Sequence, residues 1–149
     1  MYDNKPKTLL NWQDTEQAQR GLLEWLNSCP ERPVEITFES LPEDSEGMCV
    51  STIQTAYKLR QYITGGYLAQ YQFNLIYRIQ PSTDRDRLAA VELLNRMGGW
   101  AEQAGTLPQV AQGLSAKKVS RNNSAALLAV YDDGTADYQI SMTMTWEVM

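Results

Sequence analysis

The sequence predicts an α+β fold: an antiparallel sheet of about five strands with two helices packed on one face, in the order α-β-β-β-α-β-β. Apolar residues follow helical spacing in two segments, 6–33 and 82–103. Segments in which apolar and polar residues alternate, as is typical of strands, lie between and after them. Glycine-containing turns join these segments into hairpins, so consecutive strands are expected to be antiparallel. The chain of 149 residues has the size of one domain, 1–149.

The first helical segment is ended by Pro30 and Pro33. Asp14 and Thr15 both satisfy the preference for a short polar side chain at the N-cap. The apolar residues of 9–12 belong either to this helix or to a preceding turn. The predicted buried stripe consists of Ala18, Leu22, Leu23, Trp25, Leu26 and Cys29.

Three strands are predicted after this helix. The segment "VEITFES" (34–40) alternates, and 48–63 is extended with a kink expected near Gln54. The turn at 64–66 contains two glycines, which tolerate the positive φ of a tight turn, so 67–79 is the return arm of a long hairpin. In the outgoing arm the apolar residues expected on one face are Ile53, Tyr57, Leu59 and Ile63.

The return arm alternates along its whole length. Its apolar face consists of Tyr67, Ala69, Tyr71, Phe73, Leu75, Tyr77 and Ile79. The other face carries the amides Gln70, Gln72 and Asn74. Neutral amides lose less hydration energy on burial than Lys or Glu, so these three residues are candidates for an assembly interface between subunits. The other interpretation is an ordinary solvent-facing side of a sheet.

The second helix follows Pro81. Ser82 or Thr83 is the expected N-cap, and Thr83 with Asp86 fits the capping-box pattern. The helix is expected to bend or end at Gly98-Gly99. The predicted buried stripe consists of Leu88, Val91, Leu94 (or Leu93) and Met97, with Trp100 or Ala101 beyond.

Residues 104–123 show no clear period and are predicted to form a long connection with a short helical turn at 108–112. This connection contains the only basic cluster expected in a loop, Lys117, Lys118 and Arg121. The cluster is either solvated or a patch that faces an acidic neighbour or the phosphates of DNA.

A second hairpin closes the sequence. Asp133-Gly134 is a type I′ turn signal, and Asp132 and Asp133 are interpreted as turn residues. After the turn, apolar residues alternate with Ser141, Thr143 and Thr145, so the second face of this strand is again neutral and polar.

The composition excludes several kinds of chemistry. The chain has no histidine, which removes Ser-His-Asp and Cys-His catalysis and every imidazole metal site. A net charge of −5 is unlike that of a free-standing nucleic-acid binder, although a local basic strip is compatible with it. Residues 1–10 lack the apolar core of a secretory signal and no apolar run reaches membrane-spanning length, which favours a protein made and kept in a cytoplasm.

The remaining reactive groups predict no catalytic residue, metal site or cofactor. Cys29 and Cys49 are expected to be small buried hydrophobic residues, and a disulfide between them is not required in a domain of this size. Glu43, Asp44 and Glu46 are interpreted as solvated turn charges or as weak Ca²⁺ ligands, without the spacing of an EF-hand loop.

Three segments together carry a resemblance to a known group of proteins: 6–33, 57–102 and 131–149. They resemble the small minor capsid proteins of tailed phages and prophages of Gram-positive bacteria. Their layout is similar to that of the tail terminator group, also called tail-completion or head–tail joining proteins. The most telling part is the hairpin that leads into "PSTDRDRLAAVELLNRMGGWAE".

The resemblance implies a non-enzymatic structural protein without a cofactor. Such a protein forms a ring with copies of itself, caps the tail tube and presents a surface to the head connector, while DNA passes through the lumen. It is found in the virion and, during assembly, in the cytoplasm of the bacterial host. An acidic lumen would ease the passage of DNA. The resemblance supplies no residue-level motif.

Two other functions are compatible with the sequence. The first is a different head-completion or connector protein, which has the same size and composition. The second is an enzyme or small-ligand-binding α+β domain, which requires a concave site lined by titratable groups. A deep polar pocket above the sheet would favour the ligand-binding function, and flat self-complementary edges would favour assembly.

Overall fold

The computed structural model describes residues 8–149. Two helices, α1 (Trp12–Leu26) and α2 (Asp84–Gln103), accompany the strands. The strands are β1 (Thr8–Leu9), β2 (Ile36–Phe38), β3 (Gly47–Gln61), β4 (Tyr67–Ile79), β5 (Gln109–Ala111), β6 (Leu114–Ser115), β7 (Lys118–Arg121), β8 (Ala126–Val130) and β9 (Ala136–Val148). Residues 1–7 lie outside the described residues. Two predictions concern them: the lack of a secretory signal and the first residues of the helical segment.

A mostly antiparallel sheet forms the centre of the α+β fold. Seven of the described strands join it in the order β1-β3-β4-β9-β7, with β2 also paired to β3 and β8 also paired to β9. The β2–β3 pair is parallel, and β5 and β6 form a separate two-stranded ribbon. About five strands were expected because β1 and β7, with two and four residues, are too short for alternation to reveal them.

The two central strands confirm the predicted alternation. β4 and β9 pair without a break from Tyr67 opposite Val148 to Ile79 opposite Ala136. Every second residue of both strands is buried: Ala69, Tyr71, Phe73, Leu75 and Tyr77 in β4, and Tyr138, Ile140, Met142, Met144 and Trp146 in β9. Burying each large side chain of this set contributes about 1.5–3 kcal/mol.

The hydrophobic core lies between this face of the sheet and the two helices. Leu22 and Leu26 of α1 and Leu94 and Met97 of α2 belong to the same buried cluster as the apolar faces of β4 and β9. The helices also contact each other through Trp25 and Trp100, whose ring centroids are 4.5 Å apart. No helix within residues 8–149 is long and apolar enough to cross a membrane.

Helix α1 begins earlier than the predicted caps. Asn11 is the N-cap and accepts a hydrogen bond from the backbone of Asp14 at 2.8 Å, so the assignment of the cap to Asp14 or Thr15 is wrong. Asp14 is instead the acidic residue of the first turn and accepts a return bond from Asn11 Nδ2. Leu9 lies in β1, and Trp12 is the first residue of the helix.

Helix α2 confirms the capping box of Thr83 and Asp86 but not the predicted end. It continues through Gly98 and Gly99 because Gly98 is buried against β7 and β9. A Cβ atom there would lie 2.7 Å from Cδ of Arg121, so close packing offsets the weak helix propensity of glycine. Leu88 was expected in the core but is 62% exposed, because the buried side of the first turns is formed by Ala90.

The expected kink of β3 is present and changes which residues are buried. The pairing with β4 shifts between Thr52 and Gln54, between Gln54 and Tyr57, and again between Lys58 and Arg60. Each shift moves later side chains to another face. Of the residues predicted to be buried together, Tyr57 is buried and Ile53, Leu59 and Ile63 are exposed.

The predicted strand at 34–40 is reduced to β2. It runs parallel to β3 because the side-chain amide of Asn27, at the end of α1, binds both backbone groups of Ile36, at 2.8 and 2.9 Å. The chain therefore leaves α1 and enters the sheet edge in the direction of β3 rather than as one arm of a hairpin.

Both hairpins use the same turn. Gly65 and Gly134 have φ values of 94° and 90°, and each donates to the carbonyl three residues earlier. A type I turn followed by a left-handed glycine explains this geometry. A type I′ turn requires a positive φ at both Asp133 and Gly134. Among the described non-glycine residues only Glu39 has a positive φ, so the type I′ assignment for Asp133-Gly134 is wrong.

Residues 104–123 contain short strands instead of the predicted helical turn at 108–112. β5 and β6 form a ribbon against α1, and β7 pairs with β9. The basic cluster of this segment therefore begins and ends a strand rather than lying in a loop.

Candidate assembly surface

The face of the sheet opposite the helices is neutral and polar along three strands. We call it the outer face. Most of its central residues are half-buried and, apart from one isoleucine, carry amide or hydroxyl groups: Ser51, Gln70, Gln72, Asn74, Ile76, Gln139, Ser141, Thr143 and Thr145. Strand β3 also places Cys49 and Tyr57 on this face, and both are buried. Cross-strand register arranges them in rows, so that neighbouring side chains on this face lie directly opposite one another.

The three amides predicted from β4 all lie on the outer face. Gln70 donates to the hydroxyl of Tyr57 at 2.9 Å, and Asn74 accepts from the hydroxyl of Ser141 at 2.5 Å. Gln72 lies between them, opposite Thr143. Within residues 8–149 no hydrogen bond of the Gln72 side chain is found, which leaves its amide able to bind a neighbouring molecule.

The basic cluster is divided by the strand that contains it. Lys118 lies opposite Thr145 and so borders the outer face, and Lys117 precedes it as an exposed residue. Arg121 lies opposite Met142, on the helix side, where its guanidinium binds Glu102 at 2.7 Å. The structure therefore places Lys118 in the same row as Gln70, with Thr145 between them, and it does not bring Arg121 to this surface.

An ion pair between Arg78 and Asp137 lies at one end of the outer face. Arg78 Nε and Asp137 Oδ1 are 2.7 Å apart, and Arg78 Nη2 reaches Oδ2 at 2.9 Å. Tyr131 donates to the same carboxylate at 2.8 Å, and Arg78 Nη1 donates to the carbonyl of Pro42 at 2.5 Å. This group was not predicted from the sequence. The signal for it is the position of Arg78 among the polar residues of the β4 alternation, because a charge within a strand usually has a partner on a neighbouring strand.

The contacts within this group shift the pKa values of two of its members. The hydrogen bonds with Asp137 raise the pKa of the Arg78 guanidinium above its ordinary value. The bond that Tyr131 donates to Asp137 raises the pKa of its phenol. Both shifts favour the charged arginine and the neutral tyrosine, so the group stays intact through neutral pH.

Both cysteines are buried, and no disulfide joins them. Burial is the main cause that raises the pKa of Cys29, and it raises the pKa of Cys49 to about 11, with the charges of Glu39 and Asp137 adding to the shift.

We expect native Cys49 to react with Ellman's reagent at pH 8 roughly two orders of magnitude more slowly than in the unfolded chain, because its thiolate fraction is lower by that factor. Because burial raises the pKa of Cys49 in the folded protein, the thiol of the unfolded chain ionises at a lower pH. Ionisation of this thiol therefore lowers the free energy of unfolding as the pH rises above about 8.5. Labelling of the variants C29A and C49A with and without urea separates the two thiols. Native labelling at the unfolded rate would contradict the burial.

A cleft of about 510 Å³ lies on the helix side, between α2 and the end of β4. The charged side chains that line it are already engaged. Glu46 accepts from the hydroxyl of Tyr77, Asp86 forms the capping box, and Arg96 binds Glu31 at 3.4 Å. Burial, followed by the bond to Glu46, raises the pKa of Tyr77.

A second groove of about 720 Å³ runs beside α1 and β5. Its charged lining residues are Arg20, Glu24, Arg32 and Glu35. Like the first cleft, this groove lies on the helix side and not above the outer face.

The carboxylates predicted to lie in a turn, Glu43, Asp44 and Glu46, are exposed. Glu46 accepts a hydrogen bond from the hydroxyl of Tyr77. Asp133 accepts from the backbone of Thr135 at 2.9 Å, and that bond lowers its pKa, consistent with a role in the turn. In the part of the chain that the structure describes, no group of three or more Cys, Asp or Glu side chains is placed to hold a metal ion.

Comparisons with known proteins add no family to this description. No protein-family model matches the chain, and no curated protein matches it. The structure itself defines the class: an α+β fold with two helices on a mostly antiparallel sheet.

Proposed function

We propose that the protein is a non-enzymatic structural subunit that assembles with copies of itself through the outer face of its sheet. The observation that carries this proposal is the continuous, half-buried row of neutral side chains across β3, β4 and β9. Burying neutral amides and hydroxyls against a similar surface costs less than burying charges, and each amide supplies both donors and acceptors to a partner.

More specifically, we propose a minor capsid or tail terminator subunit at the head–tail junction of a tailed phage or prophage. Its partners would be other copies in a ring, the tail tube and the head connector, with DNA passing through the lumen and with the virion and the host cytoplasm as its locations. The resemblance of the three segments supports this role. The five predicted strands correspond to β2, β3, β4, β8 and β9. The net charge of −5 is compatible with an acidic lumen.

The same surface would serve another head-completion or connector protein. The groove beside α1 favours a second candidate function, the binding of a small zwitterionic ligand, because charges of both signs line it. A ligand-dependent rise in Tm that the variant R20A removes would favour that function over assembly.

The first test of assembly is the mass of the purified protein across concentration, measured by light scattering after size exclusion. A shift to one discrete oligomer of ring size supports the proposal. A monomer at every concentration removes self-assembly without a template.

A substitution on the outer face tests which surface assembles. We expect Q72R to weaken self-association at least tenfold, which corresponds to about 1.4 kcal/mol, because it places a charge in the neutral row without removing an intramolecular hydrogen bond. The matched control is Q103R at the exposed end of α2. Equal association of both variants would contradict the role of the outer face.

A further inference from the structure

Strand β8 has a free backbone edge at one side of the sheet. Among the described strands it pairs with β9 alone. It contains no charged residue and no proline, and the exposed fractions of Leu127, Leu128 and Val130 are 52%, 45% and 65%. Natural proteins usually protect such an edge with charges, proline or a covering segment. An apolar edge without these devices is a site for pairing with another strand.

Neighbouring hydrogen bonds show which backbone groups of β8 point away from β9. The carbonyls of Ser141 and Thr135 both accept bonds of 2.8 Å from the β8 side of the chain. Since backbone direction alternates along a strand, every odd-numbered residue of β9 faces β8. Leu127 and Val130 lie opposite even-numbered residues, so their own N–H and C=O groups point outward. Within residues 8–149 no hydrogen bond to these outward groups is found.

The positions of these outward groups define a register for pairing β8 with β8 of a second copy. In an antiparallel pair, two residues that face each other's strand exchange both of their backbone bonds. Leu127 opposite Val130 of the second copy meets this condition, and a twofold axis repeats the contact. The register shift between Leu127 and Ala129 adds one residue between the two positions. Because both copies carry the same shift at the same level, it does not disturb the register.

The side chains that face each other in this register are apolar. Leu127 lies opposite Tyr138 and Val130 lies opposite Ala136, and both partners belong to the core cluster. Leu127 and Val130 therefore lie on the helix side of the sheet. Pairing places the leucine of each copy beside the valine of the other, so each covers apolar surface that is exposed in a single subunit.

The order of charges along this edge favours the antiparallel direction. The basic cluster at 117–121 precedes β8, Asp132 and Asp133 follow it, and residues 122–131 carry no charge. Antiparallel pairing brings the two aspartates of one copy to about three residues, roughly 10 Å, from Arg121 of the other. Parallel pairing would bring the aspartates of both copies together. Salt screens charges at this distance, so they select the direction of pairing more than they add affinity.

We propose that β8 of one subunit pairs antiparallel with β8 of a second copy, with Leu127 opposite Val130, and joins the two sheets across a twofold axis. Such an isologous contact is closed, so it produces a dimer and no larger species. The edge contact goes beyond the proposed function and does not depend on the outer face. In an assembly that uses both contacts, the edge joins the subunits in pairs.

Cysteines at the two facing positions test the register. L127C and V130C change exposed side chains, whereas the native thiols are buried. We expect an equimolar mixture of the two single variants, one carrying a size tag, to form the mixed disulfide dimer under mild oxidation at least tenfold faster than either variant alone forms a dimer. The double variant L127C/V130C should stop at a dimer. Faster dimers of one single variant, or a ladder from the double variant, would overturn the proposal.

A matched pair of leucines gives a second measurement. We expect L128K to raise the dissociation constant of the dimer, measured by sedimentation equilibrium, at least tenfold. The substitution places a lysine from each copy near the twofold axis, where it opposes strand pairing. The control L59K changes a leucine of β3 with a similar exposed fraction, 41%, and should leave the dissociation constant unchanged.

The variant Q72R separates the edge contact from the outer-face contact. A dimer that L128K weakens and Q72R leaves intact supports the edge contact, whether or not the outer face assembles. Loss of assembly in Q72R, without an effect of L128K and without the mixed disulfide, overturns the edge contact and leaves the outer-face function standing. A monomer at every concentration that forms no disulfide dimer overturns both.

Discussion

Replacing Gly21 with alanine is expected to lower the free energy of unfolding by about 3 kcal/mol, the upper range for overpacking in a core. A Cβ atom at Gly21 would lie 1.7 Å from the backbone oxygen of Gln109 and 2.8 Å from its carbonyl carbon. The obstacle is backbone, not a flexible side chain, so β5 must move away from α1. Urea unfolding followed by circular dichroism measures the effect.

Gly99 is the matched control for this substitution. It also lies within a helix, but apart from its own stretch of helix no atom of the described chain lies within 4 Å of the position that its Cβ would occupy. The change G99A should stabilise the protein by about 0.5–1 kcal/mol through helix propensity alone. Similar effects of G21A and G99A would show that the close approach of α1 and β5 is not maintained in solution.

Replacing Asp137 with alanine is expected to lower the free energy of unfolding by about 3–5 kcal/mol, because it leaves the charge of Arg78 largely buried without its partner. Asp137 is 2% exposed and accepts from both Arg78 and Tyr131. The loss should be smaller when Arg78 is replaced as well, and urea unfolding of the two single variants and the double variant measures that coupling.

The exposed ion pair of Glu31 and Arg96 provides the control for Asp137. The nitrogen–oxygen distance is 3.4 Å and both side chains are about half exposed, so E31A should change stability by less than about 0.5 kcal/mol. A D137A variant no less stable than E31A would mean that water reaches the end of the outer face and solvates Arg78.

The sequence predicted most accurately where the pairing is regular. Strands β4 and β9 have unbroken register, so alternation in the sequence maps directly onto the two faces of the sheet, and Gln70, Gln72 and Asn74 lie where that alternation puts them. Strand β3 contains three register shifts, and the kink expected near Gln54 did not indicate their number or which side chains each one moves to the other face. The sequence therefore did not show which residues of β3 after Thr52 are buried.

The basic cluster of Lys117, Lys118 and Arg121 shows a second limit of prediction from the sequence. In a loop, Lys118 and Arg121 would be neighbours with no defined orientation. In β7 they are three residues apart, and because side chains alternate along a strand, an odd separation places them on opposite faces. A four-residue strand has too few positions for alternation to be distinguished from chance, and its existence depends on β9, which lies later in the sequence.

The pairing of β4 with β9 also determines the order in which the protein folds. Each strand first belongs to its own local hairpin, yet partners such as Phe73 and Met142 are 69 residues apart, from the difference of their numbers. Local hairpins close in microseconds, whereas contacts between distant segments slow folding toward milliseconds or longer. On the ribosome, the backbone edge of β4 therefore stays unpaired until Ala136–Val148 has been synthesised. The interval before β9 docks is when this edge exposes the nascent chain most to aggregation.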